Sequence, residues 1–109
     1  MSKVVLITGG SRGIGAAVAR QAASAGFAVA INYVGDTKAA DALLADLKAA
    51  GTKAITVQGD VAKLADVIRL FDETEKALGP VTHLVNSAGI TGRSSRLDAA
   101  DPQVTIDAI

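Results

Sequence analysis

A chain of 109 residues, half of them apolar, is long enough for one hydrophobic core and too short for two. Eleven basic residues balance eleven acidic ones, so no overall field draws in nucleic acid, an anionic membrane or a polyanionic substrate, and any bound anion must be gripped locally. The lack of cysteine excludes disulfides, thiolate nucleophiles and sulfur-ligated metals, and a single histidine, His83, disfavours zinc.

Met1-Ser2-Lys3 leads directly into the apolar segment Val4 to Ile7, which is too short for a signal-peptide core, and no run approaches the ~18 apolar residues of a membrane span. The expectation is a soluble cytoplasmic protein without nucleic-acid or membrane partners. The first strand spans Lys3 to Thr8, and its unbroken Val4-Val5-Leu6-Ile7 suits a strand covered by helices on both faces. A glycine-rich turn follows from Gly9 to Gly15. Ile14, Ala17, Val18, Gln21 and Ala22 trace the inward face of a first helix, and Gly26 ends it where a left-handed backbone is usual. Phe27 to Tyr33 is the second strand.

Asp36 is placed to cap a second helix with a buried stripe of Ala40, Leu43, Leu44 and Leu47, stopped by Gly51. Lys53 to Gln58 is the third strand. The third helix runs from about Lys63 to Leu78 with Leu64, Val67, Ile68, Phe71 and Leu78 turned inward, closed by Gly79-Pro80. His83 to Asn86 is the fourth strand, Gly89 to Asp101 is loop-like, and Pro102 to Ile109 has the character of a helix opening. Short β-branched runs alternating with helical periods signal parallel βαβ units. The predicted class is α/β: a Rossmann-like, doubly wound parallel sheet cut to four strands in the order 3-2-1-4, with three full helices.

Chemistry concentrates in Thr8-Gly9-Gly10-Ser11-Arg12-Gly13-Ile14-Gly15, between a strand and a helix. One glycine permits the tight turn, one lets backbone approach a pyrophosphate, and one allows close helix packing. The helix N-terminus beyond them offers unpaired N–H groups and a partial positive charge to phosphates.

Thr8 to Gly15 resembles the Thr-Gly-x-x-x-Gly-x-Gly fingerprint of the short-chain dehydrogenase/reductase family. Two further family marks follow, Asp60-Val61 after the third strand and Asn86-Ser87-Ala88-Gly89 after the fourth, so the resemblance covers the whole chain. It implies a dinucleotide cofactor held by Gly9, Ser11, Arg12, Gly13, Ile14, Gly15, Asn32, Tyr33, Asp60, Val61, Asn86, Ala88 and Gly89. Asp60 would accept from the adenine amino group and the Val61 backbone would serve the neighbouring ring nitrogen; the other reading of Asp60 is a cap or loop carboxylate. Asn86, Ala88 and Gly89 would run beneath the ribose toward the nicotinamide. Ser87 departs from the family, which commonly has a second asparagine there.

Cofactor choice turns on the end of the second strand, where an acid bonds the ribose 2′-hydroxyl of NAD and repels a 2′-phosphate. Tyr33 occupies that slot after Asn32, and the Arg12 guanidinium is suited to a phosphate, so NADP(H) is expected over NAD(H); Arg12 as a solvated loop charge is the alternative. Lys38 is a second, weaker candidate for the phosphate and reads better as a helix-surface lysine, and His83 reads as a packed or surface histidine. Arg93, Ser94, Ser95, Arg96, Asp98 and Asp101 fall where the family places substrate, and a charged loop explains them equally.

The family's proton-transferring Tyr-x-x-x-Lys pair is absent: the one tyrosine, Tyr33, has Thr37 four residues on. No catalytic residue is therefore assigned. The expectation is the N-terminal, cofactor-holding part of an NADP-dependent carbonyl–alcohol oxidoreductase, inactive alone. The alternative is a stand-alone, non-catalytic nucleotide-binding or interaction module. A flavodoxin-like receiver is discounted, since Thr8-Gly9 stands where it needs acids. With no fifth parallel strand, the fourth would present an open edge, so self-association or a companion second-half chain is expected.

Overall fold

The computed structural model describes residues 3–9, 13–87 and 106–108, the last three as backbone only. Its elements are β1 (Val4–Thr8), α1 (Gly13–Ser24), β2 (Ala28–Tyr33), α2 (Thr37–Ala49), β3 (Ala54–Gln58), α3 (Leu64–Leu78), β4 (His83–Asn86) and β5 (Ile106–Ala108). The sheet runs β3-β2-β1-β4-β5. Its first four strands are parallel, as the Rossmann-like reading requires. The register sets Ile7 opposite Ile31, Thr8 opposite Asn86 and Tyr33 opposite Gln58, which brings the C-terminal ends of all four strands to one edge.

Side chains alternate across the sheet, so β1 feeds two cores. Val5 and Ile7 join Val29, Ile31 and Val85 on the face covered by Ala19 of α1 and by Leu43 and Leu47 of α2. Leu6 joins Ala30 and Val57 on the opposite face, under Leu70 of α3 and Val81. All five residues of β1 are buried, and its continuous apolar run follows from having helices on both sides.

Local chemistry ends the helices where expected. Phe27 N–H donates to the Ala22 carbonyl at 3.0 Å around Gly26 (φ 93°), and Thr52 N–H to the Leu47 carbonyl at 3.0 Å around Gly51 (φ 86°). Both closures need a left-handed residue, which glycine adopts without a Cβ clash. Asp36 caps α2, its side chain accepting from Ala39 N–H at 3.0 Å.

Two buried faces differ from expectation. In α1 the buried residues are Gly15 and Ala19, while Ile14 is half-exposed and Ala17 and Gln21 are exposed; Val18 and Ala22 only flank the core. The face is turned by one residue because glycine and alanine let the helix approach the sheet closely. In α3 Leu64 and Ile68 are mostly exposed, and Leu70 and Thr74 are buried instead. Thr74 tolerates this because its hydroxyl donates to the Leu70 carbonyl at 2.7 Å, satisfying its polar atom within the helix.

The fourth-strand edge also corrects expectation. Rather than standing open, β4 pairs antiparallel with β5, with Val85 opposite Ile106 and His83 opposite Ala108. Residues 106–108 are thus a strand where a helix opening was expected.

Candidate functional site

The parallel strands deliver four segments to one edge of the sheet: Gly9 after β1, Tyr33 at the end of β2, Gly59 and Asp60 after β3, and Asn86 and Ser87 at the end of β4. Gly9 has φ 65° and Gly13 φ 60°, so the chain leaves β1 and enters α1 through two left-handed glycines. A Cβ built at Gly13 would meet nothing within 4 Å. The glycine there is required by backbone conformation. Gly15 is buried in the first turn of α1, and Ile14 is half-exposed beside it.

The Gly9 turn is held from both sides. Its N–H donates to Asn32 Oδ1 at 3.2 Å. Ser87 Oγ donates to the Thr8 carbonyl and lies 3.2 Å from the Gly9 carbonyl. The Thr8 hydroxyl donates to Asn86 Oδ1 at 2.9 Å. The serine that departs from the family's usual asparagine therefore still anchors the turn with its shorter side chain.

Across the site, Gly59 N–H donates to the Tyr33 carbonyl at 2.9 Å. Asp60 Oδ1 accepts from Ala62 N–H at 2.9 Å, which gives substance to the loop-carboxylate reading, while Oδ2 has no donor among the described residues. Asp60 N–H donates to Asp66 Oδ2 at 2.8 Å. That hydrogen bond is the main reason the Asp66 carboxyl lies below its ordinary value; burial opposes it, and Arg69 and Lys63 reinforce it. Arg69 also donates to the Gln58 carbonyl at 2.7 Å, and Gln58 Nε2 donates to the Val34 carbonyl at 2.8 Å, fixing the segment that follows Tyr33.

The structure thus brings Gly9, Gly13, Ile14, Gly15, Tyr33, Asp60, Val61 and Asn86 to the strand-end edge. Asn32 belongs to the same region; it is 1% exposed, and its side chain bonds to Gly9, Val57 and Gly59. Ser11, Arg12, Ala88 and Gly89 lie outside the described residues, as do Arg93, Ser94, Ser95, Arg96, Asp98 and Asp101. His83 is packed at the other end of β4, edge-on to Phe27 at 5.0 Å and 2.9 Å from the Thr82 hydroxyl. A cavity of about 580 Å³ between Lys3, Phe27, Thr52 and Lys53 also lies at that far end, where α1 and α2 finish.

Sequence reading missed Asp66, Gln58 and Arg69. An acid in the first turn of α3 was a visible signal for Asp66; nothing local marks the other two, whose partners come from another element. No group of three or more metal-ligating side chains occurs among the described residues, and none of the described helices is long and apolar enough to cross a membrane.

A parallel sheet in the order 3-2-1-4, with a glycine turn opening the first helix at the strand-end edge, defines the class: a Rossmann-like nucleotide-binding fold. Within that class the chain belongs to the short chain dehydrogenase family, whose model matches residues 3–108. It is 43% identical over 91 residues to 3-oxoacyl-acyl-carrier-protein reductase FabG of Staphylococcus epidermidis, covering 84% of this chain and 37% of that protein. The corresponding reductase of a Synechocystis strain is 41% identical over 108 residues, covering 97% of this chain and 44% of the relative. Among solved structures, a short chain dehydrogenase from Burkholderia cenocepacia in complex with NADP superposes with a TM-score of 0.77 at 44% identity, covering 81% of this chain and 36% of that one. A blue fluorescent protein from a metagenomic library, in complex with NADPH, gives 0.78 at 44% identity with the same coverage. The chain spans about two fifths of the length of these relatives.

Proposed function

We propose that this chain is the NADP(H)-binding N-terminal part of a short-chain dehydrogenase/reductase, whose whole interconverts a carbonyl and an alcohol by hydride transfer. The observation that carries the reading is the turn from β1 into α1 with left-handed Gly9 and Gly13, combined with a tyrosine rather than an acid, Tyr33, at the end of β2. Two structural neighbours were solved with NADP or NADPH, which adds support.

The residues present suit such a group. The first turn of α1 presents backbone N–H groups to a pyrophosphate. Asp60 Oδ2 is available to an adenine amino group and the Val61 backbone to the ring. Tyr33 leaves room for a 2′-phosphate without the repulsion a carboxylate would cause, with Arg12 as its proposed partner. Asn86, Ala88 and Gly89 would support the ribose on the nicotinamide side. When bound, the dinucleotide would donate or accept the hydride; orientation and electrostatics are the protein's share.

The family's proton-transferring Tyr-x-x-x-Lys pair is not in this sequence, for its single tyrosine lacks a lysine four residues on. The reading for the chain alone is therefore cofactor binding without turnover of substrate. Self-association through β4 would require Ile106–Ala108 to be displaced first. No observation favours the reading as a stand-alone module.

Calorimetric titration with NADPH, NADH and 2′-phospho-ADP-ribose tests the proposal. Saturable binding that prefers the 2′-phosphate is expected, and Tyr33→Asp should weaken NADPH relative to NADH by about tenfold or more through like-charge repulsion. Failure of all three ligands to bind would refute the reading.

A further inference from the structure

Asn32 is out of character for its position. Asparagine is depleted in strands, yet this one sits in the interior of β2 between Ile31 and Tyr33, with 1% of its surface exposed. A buried carboxamide is tolerated only when its acceptor and donors are all used. Here they are. Oδ1 accepts from Gly9 N–H at 3.2 Å, and Nδ2 reaches the carbonyls of Gly59 at 3.0 Å and Val57 at 3.3 Å.

These partners belong to two different loops. Gly9 is the left-handed residue at which β1 turns toward α1, and Gly59 immediately precedes Asp60. No backbone hydrogen bond could join them, because β2 lies between β1 and β3. An aliphatic side chain would take this partner from the half-buried Gly9 N–H and from the buried Gly59 carbonyl. An aspartate would keep the acceptor while setting a carboxylate against the Gly59 and Val57 carbonyls. Of the near-isosteric side chains, only asparagine serves both loops.

We propose that Asn32 is a positioning residue that joins the Gly9 turn to the Gly59–Asp60 loop through β2, presetting the pyrophosphate and adenine ends of the nucleotide site without touching the nucleotide. The proposal rests on the nucleotide-binding reading for its ligand, while the mechanical link stands on the geometry alone. Ser87 supports it by holding the carbonyl side of the same turn.

The test is amide hydrogen exchange of the ligand-free chain, followed residue by residue, beside calorimetric titration with NADPH, for wild type, Asn32→Ala and Asn32→Asp. In the wild type the Gly9 amide should be protected like its strand neighbours. In Asn32→Ala its exchange should accelerate by about tenfold beyond any change at Leu6 and Ile31, which report overall stability, as expected for loss of one buried hydrogen bond. NADPH affinity should fall by about tenfold in parallel. In Asn32→Asp, which retains the acceptor, Gly9 protection should survive while NADPH affinity still falls.

A wild-type Gly9 amide that exchanges at an open-loop rate overturns the proposal, even if neither variant folds. So does a Gly9 response in Asn32→Ala that merely tracks Leu6, or unchanged NADPH affinity in that variant. If the wild type binds no NADPH, the nucleotide reading fails by itself, and the exchange measurements still decide whether Asn32 holds the turn.

Discussion

Gly13 and Asp66 show how single residues shape this edge of the sheet through different forces. At Gly13 the space around a would-be Cβ is open but φ is 60°. Gly13→Ala therefore meets no steric neighbour among the described residues and should bear the left-handed backbone strain, about 1–2 kcal/mol, measurable by urea unfolding. A loss far above that would mean that packing, rather than conformation, requires the glycine. Asp66 acts through charge: its carboxyl is held below the ordinary value of 3.8, first by the Asp60 N–H and then by Arg69 and Lys63. A carboxyl depressed in the folded state contributes stability above its unfolded pKa and loses it as pH falls through the folded value. Asp66→Asn, which keeps an acceptor but no charge, should be less stable than wild type near neutral pH. The difference should shrink as pH falls below the ordinary carboxylate range and close once Asp66 is protonated. A gap independent of pH in chemical denaturation would contradict the electrostatic account.

Among the elements, α3 separates apolar character from burial. Leu70 is 1% exposed beneath the sheet and Ile68 is 61% exposed two residues earlier, although both are large and aliphatic. Leu70→Ala should cost about 2–5 kcal/mol, because it opens a cavity between α3 and the β1–β2–β3 face. Ile68→Ser should change stability by no more than about 0.5 kcal/mol. Thermal or urea unfolding of the two variants side by side checks the assignment, and similar losses would show that the buried face has been misplaced. In α1 the buried residues are small, Gly15 and Ala19, and Ala19 packs into the core with Val5, Ile7 and Val29.

For the whole molecule, the edge of β4 matters most. Ile106–Ala108 shields it by antiparallel pairing. Removing residues 106–109 should leave unpaired backbone donors and acceptors beside Leu84 and Val85, and exposed edges of that kind recruit other chains. Sedimentation of the shortened chain should show association that rises with concentration more steeply than for the 109-residue chain. Identical profiles would mean that β5 does not protect the edge. The site itself is a property of this scale, since its segments follow four different strands and meet only because those strands are parallel and in register.

The sequence by itself determined what short-range physics encodes. Apolar runs and helical periods placed four strands and three helices within a residue or so, glycines marked the helix ends, Asp36 its cap, and the Thr8–Gly15 pattern the turn at the heart of the site. These features depend on backbone preferences and contacts spanning a few residues, so they can be read in order along the chain. Tertiary structure alone decided which side of α1 and α3 is buried, that β5 covers β4, and that Asn32 and Ser87 bond to the Gly9 turn. The bonds of Asn32 to Gly9 and Gly59 span 23 and 27 residues, and that of Ser87 to Thr8 spans 79. Such partners are set by strand alignment across the sheet, and a polar side chain looks the same in sequence whether it meets solvent, a ligand or the backbone of a distant loop.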